Sequence, residues 1–266
     1  MSVAGTAVLF AGRDLRIARS YRFPFIMTIL GTVMSLITFR FIAELVGDAS
    51  AIKATGDYFA FVVVGMVMAQ VLERTLSGPG GSVRQEQVQG TLEVLATKPM
   101  SIASLAAGWS GYPIMESLVS AVAMMAIAVP LGFTARDPNL LVAIPTMVIA
   151  AVVFSAIGLL AAAFVLVFQQ AGAITRWLSA GLALISGVFF PITLFPRAVQ
   201  LLAEASPLTH ALRALRGTLL EGAGIEAVAG SLLTLVATGL VLLPVAIAAV
   251  GVALGRARQR GTLGTY

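Results

Sequence analysis

Residues 84–101 read RQEQVQGTLEVLATKPMS, a polar island set between long apolar runs. It carries Arg84, Glu86, Glu93 and Lys98, whereas residues 58–72 before it and 117–135 after it contain no charge. Hydrophobic residues make up 59% of the chain and charged residues 11%, with a mean hydropathy of +0.98. Soluble domains are roughly a quarter charged, so the flanks of the island read as membrane segments and the island as the place where the chain meets water. About 20 mainly apolar residues cross about 30 Å of hydrocarbon, and 266 residues therefore hold about six spanning helices with short connections.

Working outward from the island predicts an all-α integral membrane protein in one transmembrane domain, residues 1–266. Helix 1 covers 24–45, opening at Pro24. Helix 2 covers 57–76 and is stopped by SGPGGS at 77–82, a run of helix breakers. Helix 3 covers 107–133 despite Pro113 and Pro130, which membrane helices tolerate where neighbours satisfy the freed backbone groups. The uncharged stretch 138–175 places helix 4 at 141–168, ending at Gln169 and Gln170. Helix 5 covers 174–190, where FFPITLFP interrupts it, and helix 6 covers 227–255. At the start, Val8, Leu9, Leu15 and Ile17 alternate with Arg13, Arg16 and Arg19, a pattern for an interfacial amphipathic helix over 5–22. Between helices 5 and 6, residues 191–222 intersperse leucines with charge too regularly for a loop, which predicts two short outer helices broken at Ser206-Pro207.

Basic residues set the orientation. With the N-terminus inside, eleven of the Lys and Arg residues fall on inner segments and six on outer ones, so both termini and the island face the cytoplasm.

Cysteine is absent and His210 is the only histidine, which excludes disulfides and thiolate sites and makes an ordinary zinc or haem site improbable. No phosphate-cradling GxxxxGK[ST] occurs, because Lys53 and Lys98 follow Ile52 and Thr97. If ATP drives this chain, a partner binds it. Residues 108–111 do form a GxSG, and with one histidine and six helices this is similar to rhomboid intramembrane proteases. Ser110 and His210 are expected at opposite faces of the membrane, however, and GxSG serves close helix packing equally well. Three intramembrane charges remain: Arg40 and Glu44, four apart on one face of helix 1, and Glu116, which has no opposite charge near it in sequence.

Two motifs carry a family resemblance. In the island, Arg84 and Glu86 precede Gly90-Thr91-Leu92-Glu93, two apolar residues and Lys98-Pro99. Further on come Gly187-Val188-Phe189-Phe190-Pro191, Pro196, Pro207-Leu208-Thr209-His210 and Arg213. In content and order these resemble the membrane permease of type-2 ATP-binding-cassette (ABC) exporters. The resemblance implies a homodimer or heterodimer of permeases in a bacterial or archaeal cytoplasmic membrane. Each would dock a separate nucleotide-binding ATPase that holds ATP and Mg, with no cofactor in this chain and no nucleic acid as partner. The island would contain the coupling helix, residues 83–98, with Arg84, Glu86, Gly90, Thr91, Leu92, Glu93, Lys98 and Pro99 as its contacts. The cargo would be hydrophobic or amphipathic, a drug, lipid or glycan-linked molecule moved outward; import and lipid extraction are the alternatives.

The physics of the island agrees. A helix over 83–95 puts Val88, Leu92 and Leu95 on one stripe, suited to a cleft on another protein. A loop that merely joins two helices would not need that stripe. In the family a cavity between the permeases is lined mainly by helices 2 and 5, which here present Phe59, Phe61, Met66, Met68 and Gln70, and Leu184, Phe189 and Phe190. Aromatic and Met side chains make a deformable apolar surface for such cargo. Phe189-Phe190-Pro191, interrupting a helix where the path would open, reads as an outer gate.

Overall fold

The computed structural model of the chain describes residues 22–46, 57–92, 95, 100–135, 137–168 and 172–260. The interfacial helix expected over 5–22 lies almost wholly outside them, as do Glu93, Lys98 and Pro99. Among the described residues the secondary structure is helical, without a strand. The α-helices are α1 (Arg22–Val46), α2 (Tyr58–Val88), α3 (Ile102–Ala128), α4 (Leu140–Phe168), α5 (Gly172–Ile185), α6 (Arg197–Ala205), α7 (Pro207–Leu220) and α8 (Ile225–Arg260). Five of them, α1 to α4 and α8, are long and apolar enough to cross a membrane. The expected sixth crossing, 174–190, is instead the 14-residue α5, about 21 Å of helix at 1.5 Å per residue and too short alone for about 30 Å of hydrocarbon.

At the centre α4 packs most extensively against α2 and α8, and α2 also packs against α3 and α5. Helices in lipid gain little from hiding apolar surface, so close packing through small residues holds them together. Two glycines do this here. A Cβ on Gly158 of α4 would collide with the Thr75 carbonyl and come within 3.0 Å of Leu76 Cα, and one on Gly78 of α2 would run into the Pro113 ring of α3.

These contacts correct the expected end of helix 2. SGPGGS does not stop it; α2 runs unbroken through Pro79 to Val88. Gly78 lets α3 approach, while the carbonyl freed by Pro79, that of Thr75, lies against Gly158. Pro113 likewise frees the Trp109 carbonyl, and Ser82 Oγ of α2 donates to it at 3.5 Å. At 31 residues α2 is about 46 Å long, well beyond the hydrocarbon thickness.

Other boundaries follow local chemistry. The Asp57 carboxylate caps α2 by accepting from the amides of Phe59 (2.9 Å) and Ala60 (3.3 Å). Ser101 caps α3 through the Ser104 amide at 3.1 Å, so that helix begins five residues before the expected 107. Its other end turns 3-10 at Val129–Leu131 around Pro130. α5 stops at Ile185 because Gly187 takes φ +81 and the Val188 amide turns back to the Ala183 carbonyl at 3.3 Å. Beyond it, α6 and α7 meet at Ser206. Leu208, Leu212, Leu215 and Leu219 of α7 are buried in the bundle.

Candidate functional site: a graded cavity between α1, α2 and α5

A cavity of about 650 Å³ lies between α1, α2 and α5. Its α2 wall is Met66, Gln70, Glu73 and Ser77, spaced as one helical stripe that passes from apolar to charged along the helix. On α5 the wall is Arg176, Ser179 and Ala183, graded in the opposite chain direction. The helices are antiparallel, since Val188, just past α5, sits against Gly65 in the first part of α2. Charge therefore meets charge at one end, and Met66, Ala183 and Phe189 meet at the other. Thr28, Thr32 and Ser35 add hydroxyls from α1.

Of the residues expected to line a path, Met66, Gln70 and Phe189 do line this cavity. Phe59 and Met68 do not; at 1% and 0% exposure they are part of the packed core. Leu184 and Phe190 are exposed on the surface of the bundle. Phe61 and Pro191 line a second cavity of about 390 Å³, with Ser186, Arg213 and Arg216. Residues 187–191 consequently lie between the two cavities.

Arg216 of α7 holds that partition in place. Its Nη2 donates to the carbonyls of Gly187 (3.0 Å), Val188 (3.0 Å) and Phe61 (3.2 Å). The guanidinium carbon stands 3.4 Å from the centre of the Phe61 ring. One cation thus satisfies the carbonyls that the turn at Gly187 leaves open and ties α7 to α2 and α5. Gly65 makes room, because a Cβ there would collide with the Val188 carbonyl oxygen. Phe189 is held by stacking on Phe39 of α1, with ring centroids 5.2 Å apart and planes 9° apart. In the sequence Arg216 counted only as an outer positive charge, and nothing local marks it as the partner of Gly187.

The intramembrane charges resolve into pairs. Arg40 Nη2 lies 3.1 Å from Glu44 Oε1, and Arg40 also sits 5.7 Å from the centre of the Phe59 ring. Glu116, without an opposite charge near it in sequence, forms an ion pair with Arg74 of α2. Arg213, which lines the second cavity, bonds Glu204 at 2.7 Å, and that hydrogen bond holds the Glu204 carboxyl below the usual carboxylate range.

The island differs from its expected form. Glu86 is 1% exposed and accepts a hydrogen bond from the Thr91 hydroxyl, so its carboxylate closes the turn at Gly90, φ +68. Leu92 is buried with Val83, Leu105, Trp109 and Leu254, and Leu95 packs on the same cluster. Two members of the expected stripe therefore bind the bundle itself, and only Val88, 64% exposed, faces outward. Arg84, Gln85, Val88 and Gln89 form the exposed surface at this end of α2.

Ser110 and His210 show no catalytic contact. The buried Ser110 hydroxyl has no hydrogen-bond partner, while His210 Nε2 lies 2.9 Å from the Glu204 carbonyl oxygen. Among the described residues no group of three His, Asp or Glu side chains could hold a metal ion.

Comparison with known proteins gives a consistent picture. The family model for the ABC-2 type transporter matches residues 7–220. The chain is 24% identical over 193 residues to the inner membrane transport permease YadH of Escherichia coli (strain K12), covering 72% of this chain and 75% of that protein. It is also 24% identical over 210 residues to nodulation protein J of Sinorhizobium fredii, covering 75% and 76%. With a match across most of its length, five apolar helices of spanning length and the two motifs in family order, this chain belongs to the ABC-2 type transporter family.

Proposed function

We infer that this chain is the multi-pass permease subunit of an inner-membrane ABC exporter. It pairs with a second permease, and both termini face the cytoplasm. It moves an amphipathic molecule outward, using ATP and Mg bound by a separate nucleotide-binding subunit. The observation that carries this reading is the cavity between α1, α2 and α5, which grades from Glu73 and Arg176 to Met66 and Phe189. A cavity charged at one end and apolar at the other suits an amphiphile better than an ion or a sugar. α2 extends beyond membrane thickness, and its exposed end, Arg84, Gln85, Val88 and Gln89, is the surface offered to the ATPase. The turn closed by Glu86 and Thr91 supports that surface from behind. Residues 187–191, between the two cavities, act as the gate, with Arg216 as its anchor.

The test is co-expression with a candidate ABC ATPase subunit from the same genome, followed by purification and reconstitution into vesicles. The expected result is a stable complex that moves a fluorescent amphiphile across the bilayer only when ATP is hydrolysed. Vesicles with outward-facing and inward-facing complexes, assayed separately, give the direction. An ATPase that fails to copurify, or flux indifferent to ATP, would refute the reading.

A further inference from the structure

Among the described residues, four ionisable side chains lie in or beside the graded cavity, and two of them cancel. Arg74 lines it but is paired with Glu116. Glu73 and Arg176 line the same cavity and are both exposed, and the carboxylate of the one and the guanidinium of the other form no ion pair or hydrogen bond with each other or with any described residue. An unpaired charge inside a membrane bundle is costly, and two opposite ones sharing a cavity would lower that cost by pairing. Here they stay apart. Next to them, Gln70 Oε1 is buried without a hydrogen-bond partner, leaving an acceptor beyond Glu73 toward the apolar end.

We propose that Glu73 and Arg176 recognise the two poles of a zwitterionic head group, the cationic pole at Glu73 and the anionic pole at Arg176. The cargo is then an amphiphile whose head carries both charges and whose apolar tail lies along Met66, Ala183 and Phe189. A purely anionic head would face Glu73, and a purely cationic one would face Arg176; each meets one repulsive neighbour, which gives selectivity by exclusion as well as by attraction. The Arg guanidinium suits a phosphate or carboxylate, to which it donates two parallel hydrogen bonds. Gln70 accepts from an ammonium or hydroxyl on the cationic side. This assignment rests on the amphiphile-permease reading and narrows it.

The experiment uses the full chain with its ATPase in a neutral maltoside detergent, so that only the probe brings charge. Three fluorescent probes share one twelve-carbon tail and differ in the head: phosphocholine, phosphate or trimethylammonium. Dissociation constants are read by anisotropy. The phosphocholine probe should bind about tenfold or more tighter than either single-charge probe, the factor expected for one opposite-charge contact in a partly desolvated cavity. Arg176→Gln should remove its advantage over trimethylammonium, and Glu73→Gln its advantage over phosphate. Neither change should lower the thermal midpoint, since neither residue pairs within the bundle.

Equal binding of the three probes, or unchanged ranking in both variants, overturns the assignment. So does loss of permease dimer in Arg176→Gln and Glu73→Gln that the charge-swapped double variant restores, because the residues would then pair between two copies. ATP-driven flux of amphiphiles without head preference would remove the head assignment and leave the exporter reading standing. Absence of both binding and flux for every probe would remove both.

Discussion

Replacing Arg216 by Met keeps most of the side-chain volume and removes the cation on which three carbonyls converge. Phe61 lies inside α2, where its carbonyl keeps a helical partner. The carbonyls of Gly187 and Val188 do not, and leaving two buried acceptors unmet costs about 2–6 kcal/mol. Loss of the contact with the Phe61 ring adds about 2 kcal/mol for a desolvated cation. Against this, burying the guanidinium is itself expensive, the more so because its Nε finds no partner, and the variant recovers several kcal/mol of that desolvation. The net expectation is a loss of about 1–3 kcal/mol, concentrated at residues 187–191. At about 2–4 °C per kcal/mol the thermal midpoint falls by several degrees. Local opening is read independently: the chain has no cysteine, so Val188→Cys, at a position with no exposure, is a lone thiol whose labelling rate reports on the partition. Labelling should quicken in Arg216→Met. Arg213→Met, which breaks only the exposed pair with Glu204, should shift stability by about 0–1 kcal/mol and leave labelling alone. Unchanged midpoint and labelling in Arg216→Met would show that the cation does not hold the gate.

Gly158→Ala forces a Cβ into the Thr75 carbonyl and should cost about 1–3 kcal/mol in thermal unfolding, whereas Gly31→Ala, with nothing within 4 Å, should be neutral or slightly stabilising. Breaking the Arg74–Glu116 pair from either side should destabilise by about 1–3 kcal/mol, and the double change to Met and Gln should cost less than the two singles together in a double-mutant cycle. Val88→Glu should abolish stimulation of the partner ATPase with an unaltered midpoint, while Glu86→Lys, placing a cation where a buried carboxylate closes the turn, should lower the midpoint as well. Equal midpoints for those two variants would refute the assignment of Glu86 to the support of the surface.

The apolar spans were legible because uncharged runs of spanning length have few other uses, and they emerge as helices near their expected places. The faces of those helices were not legible. A segment such as 58–72 is apolar all round, so its periodicity does not say which side meets a cavity, and Phe59 and Met68 could not be told from Met66. The polar positions held the missing signal: Gln70, Glu73 and Ser77 fall on one helical stripe, and that stripe is the cavity wall. SGPGGS misled because helix breaking by glycine is a rule for water, where the exposed backbone competes for solvent; between membrane helices the same glycines are contact surface. The partner of Glu116 and the role of Arg216 depend on residues 42 and 28 or more positions away, beyond any local pattern.

Because α2 passes through SGPGGS without interruption, its exposed Val88 end and its cavity wall belong to one rod. Gly78, wedged against Pro113, lies about 15 Å from Val88 and about 18 Å from Met66 along that rod. A rod that pivots there would have nearly equal arms. A sideways push of about 2 Å at Val88 would swing Met66 by about as much the other way, a displacement comparable to the interface helix shifts that switch other proteins. Such a rod would pass displacement along its length without bending, in a ratio set by where its pivot sits.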